Sequence, residues 1–333
     1  MTEEEAYQTA INQPLEVKVD KAVALYKHYE RAAKTWDMFE PWYHVCQSGG
    51  KDSAFIEWLA ERAGVDFKSY HNLTTLDAPE LIHHMREHYP NTIIHKPERP
   101  LLRQMVEKEG QGPPTRLARW CCELYKENGC KGQIKVFGVR APESNNRKQN
   151  WRLWTPRKQD RSWVLNPGLY FTDANVWALI HQENIPYCSV YDEVDAEGKK
   201  MFTRMGCIGC PMAGTCGRQK EFERWPKYRD AWQKHFAMFW EKWHGVPTLK
   251  PRWVSTEGKY PFCPLPSERK ESRFVTVPSD DPHGQYKTVQ ELQKGFWTYR
   301  RWYDLREFTC WQDLWLWWMQ MEDEPEGCTM GLF

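Results

Sequence analysis

Trp42-Tyr43-His44-Val45-Cys46-Gln47 runs directly into Ser48-Gly49-Gly50-Lys51-Asp52-Ser53, and Ala54 to Ala63 follows, with Phe55, Ile56, Leu59 and Ala60 at helical spacing before Gly64. The first six residues are aromatic and β-branched and predict a short strand. The last stretch predicts a helix stopped by Gly64. A strand passing through two glycines into a helix has a defined chemical use. The strand brings the chain to the carboxyl edge of a sheet. The glycines let the backbone approach an anion with no Cβ in the way, and the helix offers N–H groups and the positive end of its dipole. Ser48 and Ser53 add hydroxyl donors and Lys51 adds positive charge. The spacing is not that of the G-x-x-x-x-G-K-[ST] loop, and the bland alternative is an ordinary strand-to-helix turn.

The alternation continues on the C-terminal side. Val65 to Leu73 predicts a strand and Ala78 to Tyr89 a helix with Pro79 in its first turn. Asn91 to His95 predicts a strand, Leu101 to Glu109 and Thr115 to Lys126 predict helices, and Gln133 to Val139 predicts another strand. This order implies an α/β fold, a mostly parallel twisted sheet with helices on both faces. Before it, Lys18 to Phe39 has a helical stripe. After it, Arg140 to Arg161 reads as a basic loop, Thr172-Asp173 as the cap of a helix through Ile180, and Gln219 to Trp243 as helical. Gly245 to Thr288 reads as an irregular connection, and the aromatic tail from about Val289 as helical. The domain reading is therefore an N-terminal helical segment over 1–40, a nucleotide-binding core with a cysteine cluster over 41–230, and a Trp-rich helical extension over 231–333.

A second chemical segment follows the last predicted strand of that run: Gly138-Val139-Arg140-Ala141-Pro142-Glu143-Ser144-Asn145-Asn146-Arg147. Two arginines seven apart offer planar forks that suit phosphate, sulfate or carboxylate oxygens. The window 140–161 is basic and contains Trp151 and Trp154. Such a mixture can bind nucleic acid through phosphate contacts and base stacking. The competing reading is a solvated loop whose tryptophans pack on the core.

The hexapeptide, its strand and its helix resemble the pyrophosphate-loop (PP-loop) adenine nucleotide hydrolases. The wider pattern resembles the branch holding phosphoadenosine phosphosulfate (PAPS) reductases and the ATP-pyrophosphatase components of DNA phosphorothioation systems. The resemblance spans about Trp42 to Tyr228. It implies that Ser48, Gly49, Gly50, Lys51, Asp52 and Ser53 hold the phosphates of ATP, accompanied by Mg²⁺. It also implies that Arg140 and Arg147 grip the anionic end, with Glu143 and Ser144 shaping the turn. Lys51, Asp52, Arg140 and Arg147 are then the candidate catalytic residues.

Eleven cysteines are many for a chain that reads as cytoplasmic, where structural disulfides are rare. Cys121-Cys122 and Cys207-Ile208-Gly209-Cys210 together offer four thiolates, a soft site for iron–sulfur or zinc. Adjacent cysteines are awkward for tetrahedral zinc because neighbouring side chains diverge. The pattern resembles the [4Fe–4S]-binding branch of sulfonucleotide reductases and their phosphorothioation relatives, so a cluster is preferred to zinc or to metal-free thiols. Cys130 and Cys216 are alternate candidates. Cys328 matches the position of a reductase's nucleophilic cysteine, but Glu326-Gly327-Cys328-Thr329-Met330 departs from the family's Glu-Cys-Gly-[Ile/Leu]-His.

The remaining features are bounds. Lys and Arg number 46 against 45 Asp and Glu, so no whole-molecule basic field is present. No apolar run is long enough to span a membrane, and the acidic start predicts neither secretory signal nor transit peptide. His84 and His88 have metal-pair spacing but read as a solvated or satisfied histidine face. Trp311, Leu314, Trp315 and Trp318 form a stripe read as a packing face, or more sharply as a partner surface. The reading that emerges is a PAPS reductase-like ATP pyrophosphatase of sulfur metabolism, which adenylates an acceptor for sulfur transfer, with DNA as one acceptor. The rivals are an iron–sulfur PAPS or adenosine phosphosulfate (APS) reductase releasing sulfite, and a non-catalytic nucleotide-sensing subunit. A cysteine desulfurase or thioredoxin is the implied protein partner.

Overall fold

The computed structural model describes residues 2–37, 39–108, 112–116, 118–157, 160–244, 274–276, 286–288, 305 and 308–320. The chain forms two compact units that interleave along the sequence. One holds residues 2–98 and 124–208, the other residues 99–123 and the described residues from 209 onward.

The first unit is built on six strands: β1 (Tyr43–Cys46), β2 (Phe67–Asn72), β3 (Ile93–His95), β4 (Ile134–Val136), β5 (Trp154–Arg157) and β6 (Ser162–Leu165). Their order is β3-β2-β1-β4-β6-β5, and every pairing is parallel except β5 with β6. The chain reverses direction across the sheet between β1 and β4. Loops leaving the carboxyl ends of those two strands therefore diverge and leave a crevice, the usual ligand position in such sheets.

Its helices are α1 (Glu3–Ile11), α2 (Leu15–Trp36), α3 (Lys51–Ala63) and α4 (Pro79–His88), with α6 (Asn145–Asn150) and α7 (Asp173–Gln182) after the intervening helix of the second unit. A capping box between Thr2 and Glu5 starts α1, which lies ahead of the predicted helix. Tyr26, Tyr43, Val45, Phe55, Leu59, Val136, Leu165 and Ile180 are core residues drawn from α2, the sheet, α3 and α7. Two hydroxyls stitch that core. Tyr26 Oη donates to the Ile56 carbonyl at 3.0 Å and Tyr43 Oη to the Tyr26 carbonyl at 2.7 Å.

Two stretches correct the sequence expectation. Arg140 to Arg161 is no simple loop, because it carries a 3₁₀ turn (Ala141–Glu143), α6 and the edge strand β5. Pro156 is tolerated there because an edge strand has a side that needs no N–H donor. Thr115 to Lys126 is not a continuous helix. The Thr115 side chain accepts the Ala118 N–H at 2.9 Å, a local bond that competes with helix, and helical backbone begins only at Trp120, leading into a π turn over Cys122–Lys126.

The second unit contains α5 (Leu101–Glu107), α8 (Gly214–Arg224), α9 (Pro226–Trp243), the antiparallel pair β7 (Phe274–Thr276) and β8 (Tyr286–Thr288), and α10 (Trp311–Gln320). The predicted tryptophan stripe is a packing face. Leu314, Trp315 and Trp318 are buried, with the Trp318 ring 4.8 Å from Trp232 and 5.2 Å from Phe236. No described helix is long and apolar enough to cross a membrane.

Candidate functional site

β1 ends at Cys46, and the helix that follows begins at Lys51, three residues earlier than its apolar periodicity implies. Lys51, Asp52 and Ser53 thus occupy its first turn, with Gly50 as N-cap and no side chain capping it. Gly49 sits at φ +75°, and a Cβ there would lie 3.0 Å from the Leu81 carbonyl oxygen. The position demands glycine twice over, for conformation and for space.

A buried polar chain fixes the loop. Glu57 Oε2 accepts from Gln47 Nε2 at 2.6 Å, and Gln47 Oε1 accepts the Gly49 N–H at 2.9 Å and also contacts the Ser53 hydroxyl. Ser53 Oγ donates to the Gly50 carbonyl at 2.8 Å and accepts the Ser48 N–H at 3.1 Å. Burial raises the Glu57 pKa, opposed by the hydrogen bond from Gln47. By contrast, the Gly50 and Lys51 N–H groups reach only hydroxyl oxygens at 3.4 Å, those of Ser48 and Tyr191. At that length the bonds are weak, and a better acceptor would displace them.

The loop after β4 approaches this turn from the other side of the crevice. A Cβ on Gly138 would lie 3.1 Å from the Asp52 carbonyl oxygen, so the two backbones meet only because Gly138 has none. Two residues on, the buried Arg140 donates from Nε to Asp52 Oδ1 at 2.8 Å, and from one terminal nitrogen to Asp173 Oδ1 at 2.8 Å and Glu143 Oε1 at 3.2 Å. Lys51 Nζ lies 3.2 Å from Asp52 Oδ2, 3.1 Å from Asp173 Oδ1 and 5.7 Å from the centre of the Tyr191 ring. Arg147 pairs with Glu143, while Ser144 caps α6 by accepting the Arg147 N–H at 3.2 Å. The sequence-derived residues Ser48 to Ser53, Arg140, Glu143, Ser144 and Arg147 therefore gather at one edge of the sheet. Three cations there face three carboxylates.

Three members of this constellation were not legible in advance. Asp173 reads locally as the first residue of a capped helix, and Thr172 does form a capping box with Asn175. Gln47 reads as the end of a strand. Tyr191, whose phenol burial pushes well above its ordinary pKa, lies on a 3₁₀ turn with no periodic signal.

Cys207 is buried, its thiol 3.3 Å from Thr74 Oγ1, and the next N–H, of Ile208, donates to the Leu76 carbonyl at 2.8 Å. Arg119 donates to the sulfur of the buried Cys122 at 3.4 Å, Cys121 is half-buried, and Cys210 starts the turn Pro211–Ala213. Among the described residues no group of three or more His, Cys, Asp or Glu is arranged to hold a metal ion, Cys121, Cys122, Cys207 and Cys210 included. Of the alternates, Cys216 is disulfide-bonded, and burial pushes the Cys130 thiol up to about 11, which disfavours a reactive thiolate. Cys328 lies outside the described residues.

The basic window is largely occupied within the protein. Besides Arg140 and Arg147, Lys148 pairs with Glu4 at 2.7 Å and Arg157 with Glu127 at 2.8 Å. Trp154 is sandwiched by Tyr29 at 4.2 Å and Trp163 at 5.0 Å. Lys158 lies outside the described residues.

A parallel α/β sheet with a glycine loop and converging cations at its switch point defines a nucleotide-binding class of protein. The match to known families places the chain within it. The model of the phosphoadenosine phosphosulfate reductase domain matches residues 43–213, just over half of the 333 residues, and the chain belongs to that family of the PP-loop superfamily. Among solved structures, the chain is similar to a PAPS reductase from Candida auris in a phosphate complex, at 17% identity and a TM-score of 0.37, over 54% of this chain and 87% of that one. It is also similar to FMN adenylyltransferase from Candida glabrata. The complex with FAD and inorganic pyrophosphate gives 13% identity and a TM-score of 0.42, over 61% and 69%. The complex with ATP gives 13% and 0.39, over 61% and 68%. A search of curated proteins finds none that matches.

Proposed function

We propose that the chain is an adenine-nucleotide enzyme that binds ATP with its phosphates on Ser48–Ser53 and cleaves it between the α- and β-phosphates, adenylating an acceptor and releasing pyrophosphate. One observation carries this reading. Lys51, from the first turn of α3, and Arg140, from the loop after β4, converge on one oxygen of Asp173, at 3.1 and 2.8 Å, beside the weakly engaged N–H groups of Gly50 and Lys51. That geometry is a cradle for a multiply charged oxyanion. The cations would stabilise negative charge growing on the leaving pyrophosphate, and the loop would hold the α-phosphorus in line with the acceptor oxygen. Catalysis of this kind is chiefly positioning and electrostatics. Mg²⁺ arrives with the nucleotide as part of the substrate.

The second reading is a sulfonucleotide reductase acting on PAPS or APS, favoured by the family match over residues 43–213. Against it stands the sequence around Cys328, which lacks the His that ends the reductase stretch. Pyrophosphate release from ATP, measured beside sulfite release from PAPS and APS, separates the two. Sulfite formation lost in Cys328→Ser would establish the reductase, and nucleotide binding without turnover would establish a sensing subunit.

Two finer elements have narrower support. The [4Fe–4S] cluster rests on the spacing of Cys121, Cys122, Cys207 and Cys210. Iron analysis and absorption of anaerobically purified protein decide it. A DNA phosphate as acceptor, with sulfur delivered through a cysteine desulfurase, rests on the resemblance to phosphorothioation components. A pyrophosphate-release assay with and without duplex DNA tests it.

A further inference from the structure

The three carboxylates at the site are unequally held. Asp52 and Glu143 have side chains 25% and 22% exposed, whereas that of Asp173 is 55% exposed. Asp52 uses both oxygens, Oδ1 on Arg140 and Oδ2 on Lys51. Glu143 likewise uses one on Arg140 and the other on Arg147. Asp173 meets both of its cations, Lys51 and Arg140, through the single oxygen Oδ1. One side-chain rotation therefore breaks both contacts at once. The cations behind it are almost wholly buried, at 2% and 3% side-chain exposure, so they keep their positions when it leaves.

A polyphosphate adds several negative charges to a site whose three cations are already matched by three carboxylates. Like charges a few ångströms apart in a partly buried crevice repel strongly, so one carboxylate must yield. The exposed, singly anchored one is the least costly to move. We infer that Asp173 is a resident counter-anion, holding Lys51 and Arg140 in register in the unliganded protein and swinging out when the phosphates of the nucleotide take its place. Asp173 then sets the affinity threshold of the site: it stabilises the unliganded state and competes with the ligand. The inference rests on the Ser48–Ser53 loop being the phosphate site.

Inorganic pyrophosphate is the probe, titrated calorimetrically into wild type, Asp173→Asn and Asp173→Ser, with thermal melts of each. The Asn and Ser variants bind pyrophosphate about three- to tenfold more tightly than wild type, as expected for losing one partly solvated competing charge. They also melt lower without pyrophosphate and gain more from it. A purely structural aspartate would lower stability without raising affinity. Equal or weaker binding by both variants, with wild type still binding, overturns the counter-anion role and leaves the phosphate site standing. Failure of wild type and both variants to bind overturns the phosphate site, and this inference with it.

Discussion

Arg140 Nε donates to Asp52 Oδ1 at 2.8 Å, joining residues 88 apart in sequence at the switch point between β1 and β4. Asp52 is the second residue of α3, and Arg140 stands two residues beyond the glycine that lets the two backbones touch. The pair therefore welds the phosphate loop to the arginine loop, and its disruption has both a structural and a binding consequence.

Arg140→Lys keeps the charge and loses the fork that reaches Asp52, Asp173 and Glu143 together. Nucleotide or pyrophosphate affinity falls about tenfold or more, because one ammonium cannot replace a planar multidentate donor. Arg140→Ala removes the charge too and leaves three converging carboxylates, costing on the order of 2 kcal/mol after allowance for their partial exposure. Calorimetric titration and denaturant unfolding check both values. An unchanged affinity in the lysine variant contradicts the assignment.

Gly49→Ala places a Cβ 3.0 Å from the Leu81 carbonyl at a left-handed backbone position. The expected cost is about 1–3 kcal/mol, with loss of nucleotide binding because the turn must open to relieve the contact. Gly64→Ala is the control. It also has a positive φ, but nothing lies within 4 Å of the added carbon. It loses stability without losing binding.

His44 is expected to make the protein lose stability in mild acid. Burial, aided by Lys135, lowers its pKa from 6.5 to about 4, so Glu40 at 3.6 Å does not draw it into an ion pair at neutral pH. Between those values the unfolded chain takes up a proton that the folded chain refuses. Stability is therefore complete above about pH 6.5 and falls as pH drops toward 4, by up to about 3 kcal/mol for this residue. Neither ring nitrogen has a hydrogen-bond partner, so His44→Phe keeps stability near pH 7.5 and flattens the acid limb of melting temperature against pH. An unaltered acid limb sinks the explanation.

In the second unit, Trp318 is fully buried, contacts Trp232 and Phe236, and donates from Nε1 to the Pro114 carbonyl at 2.7 Å. Trp318→Ala costs about 3–5 kcal/mol through the cavity left behind. Loss of near-ultraviolet circular dichroism at lower denaturant reports it. A loss below 1 kcal/mol would contradict the packing reading of the stripe.

The sheet and its first helices were legible because glycine and proline punctuate them and their apolar periods are clean. Ser48 to Ser53, Arg140 and Arg147 were legible because the chemistry of the loop is carried by residues adjacent in sequence. The β5–β6 pair was hidden by Pro156 and Arg157, which look like loop residues until an edge strand accommodates them. Asp173 was hidden for a different reason: its local signal is a helix start, while its partners Lys51 and Arg140 lie in distant segments.

The central claim is that Gly49 to Asp52 cradle the phosphates of an adenine nucleotide. The most direct test is to follow the backbone amide resonances of Gly49, Gly50, Lys51 and Asp52 while MgATP is added to the full chain. The account predicts saturable shifts at those four amides, reproduced by pyrophosphate and abolished by Gly49→Ala. Saturable binding of ATP that leaves all four amides unmoved would contradict it.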